Sequence, residues 1–300
     1  MMNYESFKEL VSEQFIYFVK DAGCDIQELK FQKIHKINQI KDAIMLIPAN
    51  YGVNPNLIPQ LYLDDMYAEY MSLDNYVTVF KNFSLSLKDA LDSSIKDYKY
   101  LDIMRRDNIY IKLINSALNE ELIKTVPHRT FLDLTIIYAF IDYQKDSTMS
   151  INITYELAKK LDLEEENLYD IAINNITTKV PNIIIDMDEM MNESADEGEF
   201  PPTLVKLYVI TNEIKFNASS GILLEEIFYK LAEKINSNLY IIPSSIHELI
   251  AMSDEGTDVT YLEWLLQETN RTTVDISDRL SDNVYYYNKQ TRTISLADTL

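Results

Sequence analysis

Six consecutive residues, Pro243-Ser244-Ser245-Ile246-His247-Glu248, put two hydroxyls, an imidazole and a carboxylate directly after the apolar run Leu239 to Ile242. Nucleophilic catalysis needs those three groups to converge. His247 would act as the base, Ser244 or Ser245 as nucleophile or ligand-binding hydroxyl, and Glu248 as orienting or metal-binding carboxylate. The same residues also fit a structural turn. Ser245-x-x-Glu248 has the spacing of a capping box, in which the serine oxygen takes an amide proton and the glutamate reaches back, with Pro243 fixing the approach. Asn212 and Asp282, expected at the ends of other elements, are the polar residues a ligand site at this cluster would recruit.

Metal chemistry finds little purchase. The position four residues after His247 is Ala251, so the paired histidines of a zincin are absent, and His35 and His128 lie in separate segments. Asp186-x-Asp188-Glu189 and Leu63-Asp64-Asp65 offer hard oxygen donors, read here as solvated acids. No metal and no cofactor is expected. Ser93-Ser94-Ile95-Lys96 has the S-x-x-K spacing of the acyl-serine enzymes without their companion elements. A second polar group, His128-Arg129 with Asp133, stands at the entrance to an apolar run. It fits either an Arg129–Asp133 ion pair or an anion-binding site.

Composition removes several function classes. Five glycines in 300 residues leave no Walker loop, no dinucleotide fingerprint and no GxSxG elbow, each of which needs clustered glycines. Forty-eight acids against 27 Lys and Arg give a net charge of −21, which disfavours direct nucleic-acid binding in spite of 21 tyrosines suited to stacking. The lone Cys24 forms no intrachain disulfide. The chain opens with an acid where a secretory signal needs bases, and no apolar run reaches membrane-spanning length, so the expected location is cytoplasmic, with no membrane partner.

The elements that must position these groups follow from periodicity. Phe7, Leu10, Val11, Phe15 and Phe18 recur at spacings of three and four, predicting a helix over 4–20. Three strands are expected at 29–34, 43–47 and 57–61, then helices from 63 to about 96. Segments 109–114, 132–141 and 149–153 form a second strand group, the first of them also compatible with a helix, followed by short helices at 155–160 and 165–178. Beyond residue 203 the order is strand 205–211, helix 222–235, strands 239–242 and 249–252, helix 261–269, and a hairpin of 284–287 with 291–295. Between Asp186 and Pro202 seven acids stand with no base, ending in Phe200-Pro201-Pro202, which reads as an exposed linker or mobile loop. The expected architecture is α+β, two mixed helix and sheet layers: a domain over 1–185, with 1–100 and 101–185 as two lobes of it, the acidic linker 186–202, and a domain over 203–300.

Several stretches, spread over nearly the whole chain, carry a family likeness: residues 2–7, Leu61-Tyr62-Leu63-Asp64-Asp65-Met66-Tyr67, the run Val126 to Leu134, residues 207–212, Tyr240 to Glu248, and Leu280-Ser281-Asp282-Asn283-Val284-Tyr285-Tyr286-Tyr287. In these the sequence resembles an uncharacterised bacterial family, a domain of unknown function frequent in clostridial Gram-positive bacteria. The resemblance implies a bacterial, cytoplasmic origin, mobile elements included, and carries over no catalytic residue.

Three functions follow as expectations. The first is a non-enzymatic interaction protein whose acidic surface selects a basic protein partner. The second is a hydrolase or small-ligand enzyme built on Ser244, Ser245, His247 and Glu248. The third is an acidic mimic of DNA carried by a mobile element. Oligomeric state is left open.

Overall fold

The computed structural model describes residues 1–48, 60–96, 103–143, 148–193 and 205–297. The fold is α+β and divides into two compact units, Met1–Lys36 with Ile40–Asp102, and Ile37–Gln39 with Ile103–Leu300.

In the first unit, α1 (Tyr4–Asp21), capped by Asn3, precedes β1 (Ile26–Lys36), β2 (Gln39–Pro48) and β3 (Gln60–Tyr62), which form a sheet in that order. Two helices, α2 (Leu63–Leu73) and α3 (Tyr76–Lys96), complete it. Phe7, Val11, Phe15 and Val19 of α1 are buried against Ile44, Leu46, Met66 and Phe80. The strand expected at 57–61 begins at Gln60, and residues 49–59 lie outside the described part of the chain. Ser93 and Lys96 lie in α3, on a stretch whose side chains are likewise outside it.

The second unit carries two antiparallel sheets. In the smaller, β6 (Leu134–Tyr143) pairs with β4 (Ile109–Asn115) along one edge, and with β5 (His128–Phe131) and β7 (Thr148–Asn152) in succession along the other. Residues 109–114 are therefore a strand, and the run expected as one strand over 132–141 is broken at Leu132, whose φ of 53° makes the turn between β5 and β6. The short helix α4 (Glu120–Ile123) follows β4, and α5 (Tyr155–Lys160) and α6 (Glu165–Thr178) follow β7.

The larger sheet has six strands in the order β13-β12-β10-β11-β9-β8. These are β8 (Asn182–Asp186), β9 (Leu207–Asn212), β10 (Leu239–Ser245), β11 (Glu248–Ser253), β12 (Tyr285–Asn288) and β13 (Thr293–Leu296). Three helices belong with it: α7 (Met187–Glu193), α8 (Glu225–Ile235) and α9 (Val259–Thr272).

The acidic run lies between two paired strands. Asp186 closes β8, residues 187–193 form α7, and 194–204 lie outside the described residues. Strands on the two sides of the acidic run pair directly, from Asn182↔Asn212 to Asp186↔Tyr208. Lys206, the first base after the run, stands 3.4 Å from both Asp186 and Asp188, which offsets part of the like-charge repulsion that suggested an exposed segment.

The faces of the larger sheet differ, because successive side chains of a strand point to opposite sides. Leu239, Ile241, Leu249, Ala251, Ile210, Tyr285 and Tyr287 enter a continuous core shared with β4, β6, α6 and α8. The opposite face carries Leu207, Tyr240, Ile242, Met252 and Tyr286, and it is Leu262 and Leu266 of α9 that pack there. Among the described residues no helix is long and apolar enough to cross a membrane.

Candidate functional site

β10 and β11 are the two arms of a hairpin whose turn is Ile246-His247, with Ser245 opposite Glu248. The register slips between Ile242 and Ser245, at Pro243, which donates no backbone hydrogen and so cannot continue the ladder. No helix begins here, so the expected capping box is not formed. Ser245 Oγ instead accepts from the His247 amide at 3.0 Å, and Ser244 Oγ donates to the Glu248 carbonyl at 3.2 Å.

This hairpin separates the four polar groups. The His247 ring lies against Phe216 with centroids 5.2 Å apart, its Nδ1 accepts from the Asn217 amide at 3.3 Å, and Nε2 is 3.6 Å from Asp278. Neither serine hydroxyl is among its partners. Ser244, Ser245 and Glu248 face another way, into a groove of about 640 Å³ between α9 and the second face of the sheet.

The groove has two walls. Ile242, Ile250, Met252 and Leu207 form the sheet side. On the helix side stand Tyr261, Leu262, Leu265, Leu266, Thr269 and Asn270, whose spacings of one, three and four place them on a single face. Asp258 caps α9 by accepting from the Thr260 amide at 2.9 Å. Tyr261 and Trp264, their rings 5.8 Å apart and stacked, are 57% and 56% exposed.

Asn270 was not singled out by sequence. It is 3% exposed, its Nδ2 donates to the Ser281 carbonyl at 2.9 Å and to Asp282 Oδ1 at 2.7 Å, and its Oδ1 is buried without a hydrogen-bond partner among the described residues. For the groove helix, though not for Asn270 itself, one signal was available. Tyr261, Leu262, Trp264, Leu265 and Leu266 make five apolar residues in six positions, more than the narrow stripe a helix needs to cover a sheet.

The remaining sequence candidates sit apart from the groove or support it. Asn212 brackets its own loop, donating to the Phe216 carbonyl and accepting from the Phe216 amide. Asp282 holds Asn270. His128 Nδ1 lies 2.9 Å from the Val126 carbonyl. The Arg129–Asp133 pair is not formed: Arg129 Nε donates to Glu165 at 2.6 Å with the guanidinium 4.1 Å from the Tyr169 ring centre, because the turn at Leu132 carries Asp133 toward residues 281–285. Tyr138 shares the same Glu165 oxygen, and burial, then that carboxylate, push its hydroxyl far above the usual tyrosine range. Asp186 and Asp188 face Lys206, and no group of three metal-ligating side chains occurs among the described residues.

Among the described residues, the imidazole of His247 is not brought to either serine hydroxyl of the groove. Comparison with the curated proteins and with the solved structures returned no match. One family model, described as a family of unknown function (DUF5688), matches residues 4–289, which takes in both units and both walls of the groove, and the chain belongs to that family.

Proposed function

We propose that this chain is a non-enzymatic binding protein whose ligand lies in the groove between α9 and the second face of the six-stranded sheet. The groove itself carries this reading. A concavity of about 640 Å³ with a mostly apolar lining falls within the roughly 300–1,000 Å³ typical of small-molecule sites. Against a catalytic reading of the 244–248 turn stand the partners of His247, which hold the imidazole by the Asn217 amide and away from both hydroxyls.

A basic protein partner is the second reading. It draws support from the net charge of −21 and from the stacked Tyr261 and Trp264, aromatic residues of the kind that anchor interfaces. A bacterial cytoplasm is the location that suits both readings, with the single Cys24 buried and reduced.

Nile red, an uncharged dye that brightens in apolar surroundings, tests the groove. The native protein is expected to bind it saturably. Leu265→Arg, which places a charge on the groove lining at a half-exposed position, is expected to abolish the signal while circular dichroism is unchanged. His247→Ala is expected to leave it intact. Equal binding by wild type and Leu265→Arg, or none by either, would overturn the assignment.

A further inference from the structure

Resting on that groove as the binding site, we infer that its ligand is an apolar amine: a small molecule with a hydrocarbon or aryl body and an ammonium head. The inference comes from counting which hydrogen-bonding capacity of the lining is already used.

Donors are used up. Ser244 gives its proton to the Glu248 carbonyl, Thr257 to the Ser253 carbonyl and Thr269 to the Leu265 carbonyl, while both Nδ2 protons of Asn270 go to Ser281 and Asp282. Among the lining hydroxyls this leaves those of Ser245 and the exposed Tyr261. Acceptors remain. Asn270 Oδ1 is buried and has no partner among the described residues, and the two acceptors around Nδ2 fix which end of the amide is the oxygen. An acceptor left so is unfavourable unless a ligand supplies a donor.

Charge points the same way. Glu248 and Asp258 line the groove with no Lys, Arg or His among the described lining residues, so a carboxylate or phosphate head would meet like charge and find few donors. A hydroxyl head could donate to Asn270 and would bring acceptors of its own. An ammonium brings three donors, no acceptor and the complementary charge. The net charge of −21 favours its approach.

The test uses phenylbutylamine, phenylbutanol and phenylbutyrate, which share one apolar body, titrated calorimetrically into the full chain at neutral pH. The amine is expected to bind at least tenfold more tightly than the alcohol, with no detectable heat from the carboxylate. Glu248→Gln, a change at a half-exposed side chain, is expected to weaken the amine several-fold without weakening the alcohol. Asn270→Leu, scored only if its melting stays cooperative, is expected to weaken amine and alcohol alike, with the amine remaining the tighter of the two. Equal affinity of all three compounds for the wild type would overturn the head-group inference and leave the groove reading standing. Amine binding that survives Leu265→Arg unchanged would place the amine elsewhere and overturn the inference. Failure of all three compounds together with failure of Nile red would remove the groove reading itself.

Discussion

Asp133 accepts the Tyr285 hydroxyl at 2.7 Å, and the two residues are 152 positions apart. The other oxygen of Asp133 takes Ser281 Oγ at 2.5 Å and Asn283 Nδ2 at 3.0 Å, so one carboxylate at the β5–β6 turn gathers the whole segment that leads into β12. Leu280 and Tyr285 are fully buried on either side of it. The same segment supplies Ser281 and Asp282 to the Asn270 amide, which links the turn to the groove helix.

Tyr285→Phe is therefore expected to cost about 1–2 kcal/mol at neutral pH, the worth of one hydrogen bond to a charged group that keeps two other donors. Burial first, and the Asp133 charge second, raise the Tyr285 hydroxyl well above its ordinary value of 10. A raised acid favours the protonated form in the folded state, so its contribution is complete below pH 10 and is lost as pH rises beyond that. Urea unfolding midpoints measured from pH 8 to 11 should fall steeply for the wild type above pH 10 and less steeply for Tyr285→Phe.

Gly221 stands where a methyl group has no room. A Cβ there would stand 2.5 Å from Asn182 Nδ2, and that nitrogen donates to the Ala218 carbonyl at 2.7 Å. Gly221→Ala is expected to destabilise by about 1–3 kcal/mol through overpacking. Adding Asn182→Ala should recover part of that loss, and a double-mutant cycle by chemical denaturation reads the coupling. Additive losses would show that the methyl group is accommodated elsewhere.

How much of this was legible in the sequence depends on range. The helices at 155–160 and 165–178 coincide with α5 and α6, because capping, propensity and apolar spacing all act within one or two turns. Strand β8 was hidden because the apolar triplet Ile183-Ile184-Ile185 abuts seven acids, and its partner β9 begins only at Leu207. The Ser244, Ser245 and Glu248 side chains were visible as a cluster since one hairpin places them. Where His247 turns was not, because its neighbours come from residues 216, 217 and 278. Asn270 had no local signature at all, since what distinguishes it is an oxygen that remains single after its nitrogen has been paired.

At the β12–β13 turn, Arg292 forms a bidentate pair with Glu225 at 2.8 and 2.7 Å and lies 4.0 Å over the Tyr229 ring. The hydrogen bonds from Arg292, with that from Tyr287, hold the Glu225 carboxyl below its ordinary 4.5. A lowered carboxyl contributes stability above that value, and the contribution is lost as pH falls through the folded-state value. Arg292→Gln should thus show a shallower loss of stability between pH 5 and 3 than the wild type. The difference should shrink in 1 M salt, since the pair is partly solvent-exposed.

In the first unit, the Phe80 ring meets Phe15 and Phe18 at 5.3 Å, Tyr76 at 5.5 Å and Phe7 at 6.1 Å. Phe80→Ala is expected to cost about 3–5 kcal/mol, because the void it leaves is ringed by rigid aromatic groups that collapse poorly. Phe80→Leu should cost less than half as much, as read from guanidinium midpoints.

Trp264 has a consequence for spectroscopy. It is the chain's single indole, it is more than half exposed, and it stands beside Tyr261 on the helix that walls the groove. Its emission starts near that of a hydrated indole, so unfolding has little red shift left to add. Fluorescence excited at long wavelength is therefore a poor gauge of global folding in this protein and a selective one for events on a single helix: a blue shift on titration would report that something has covered α9.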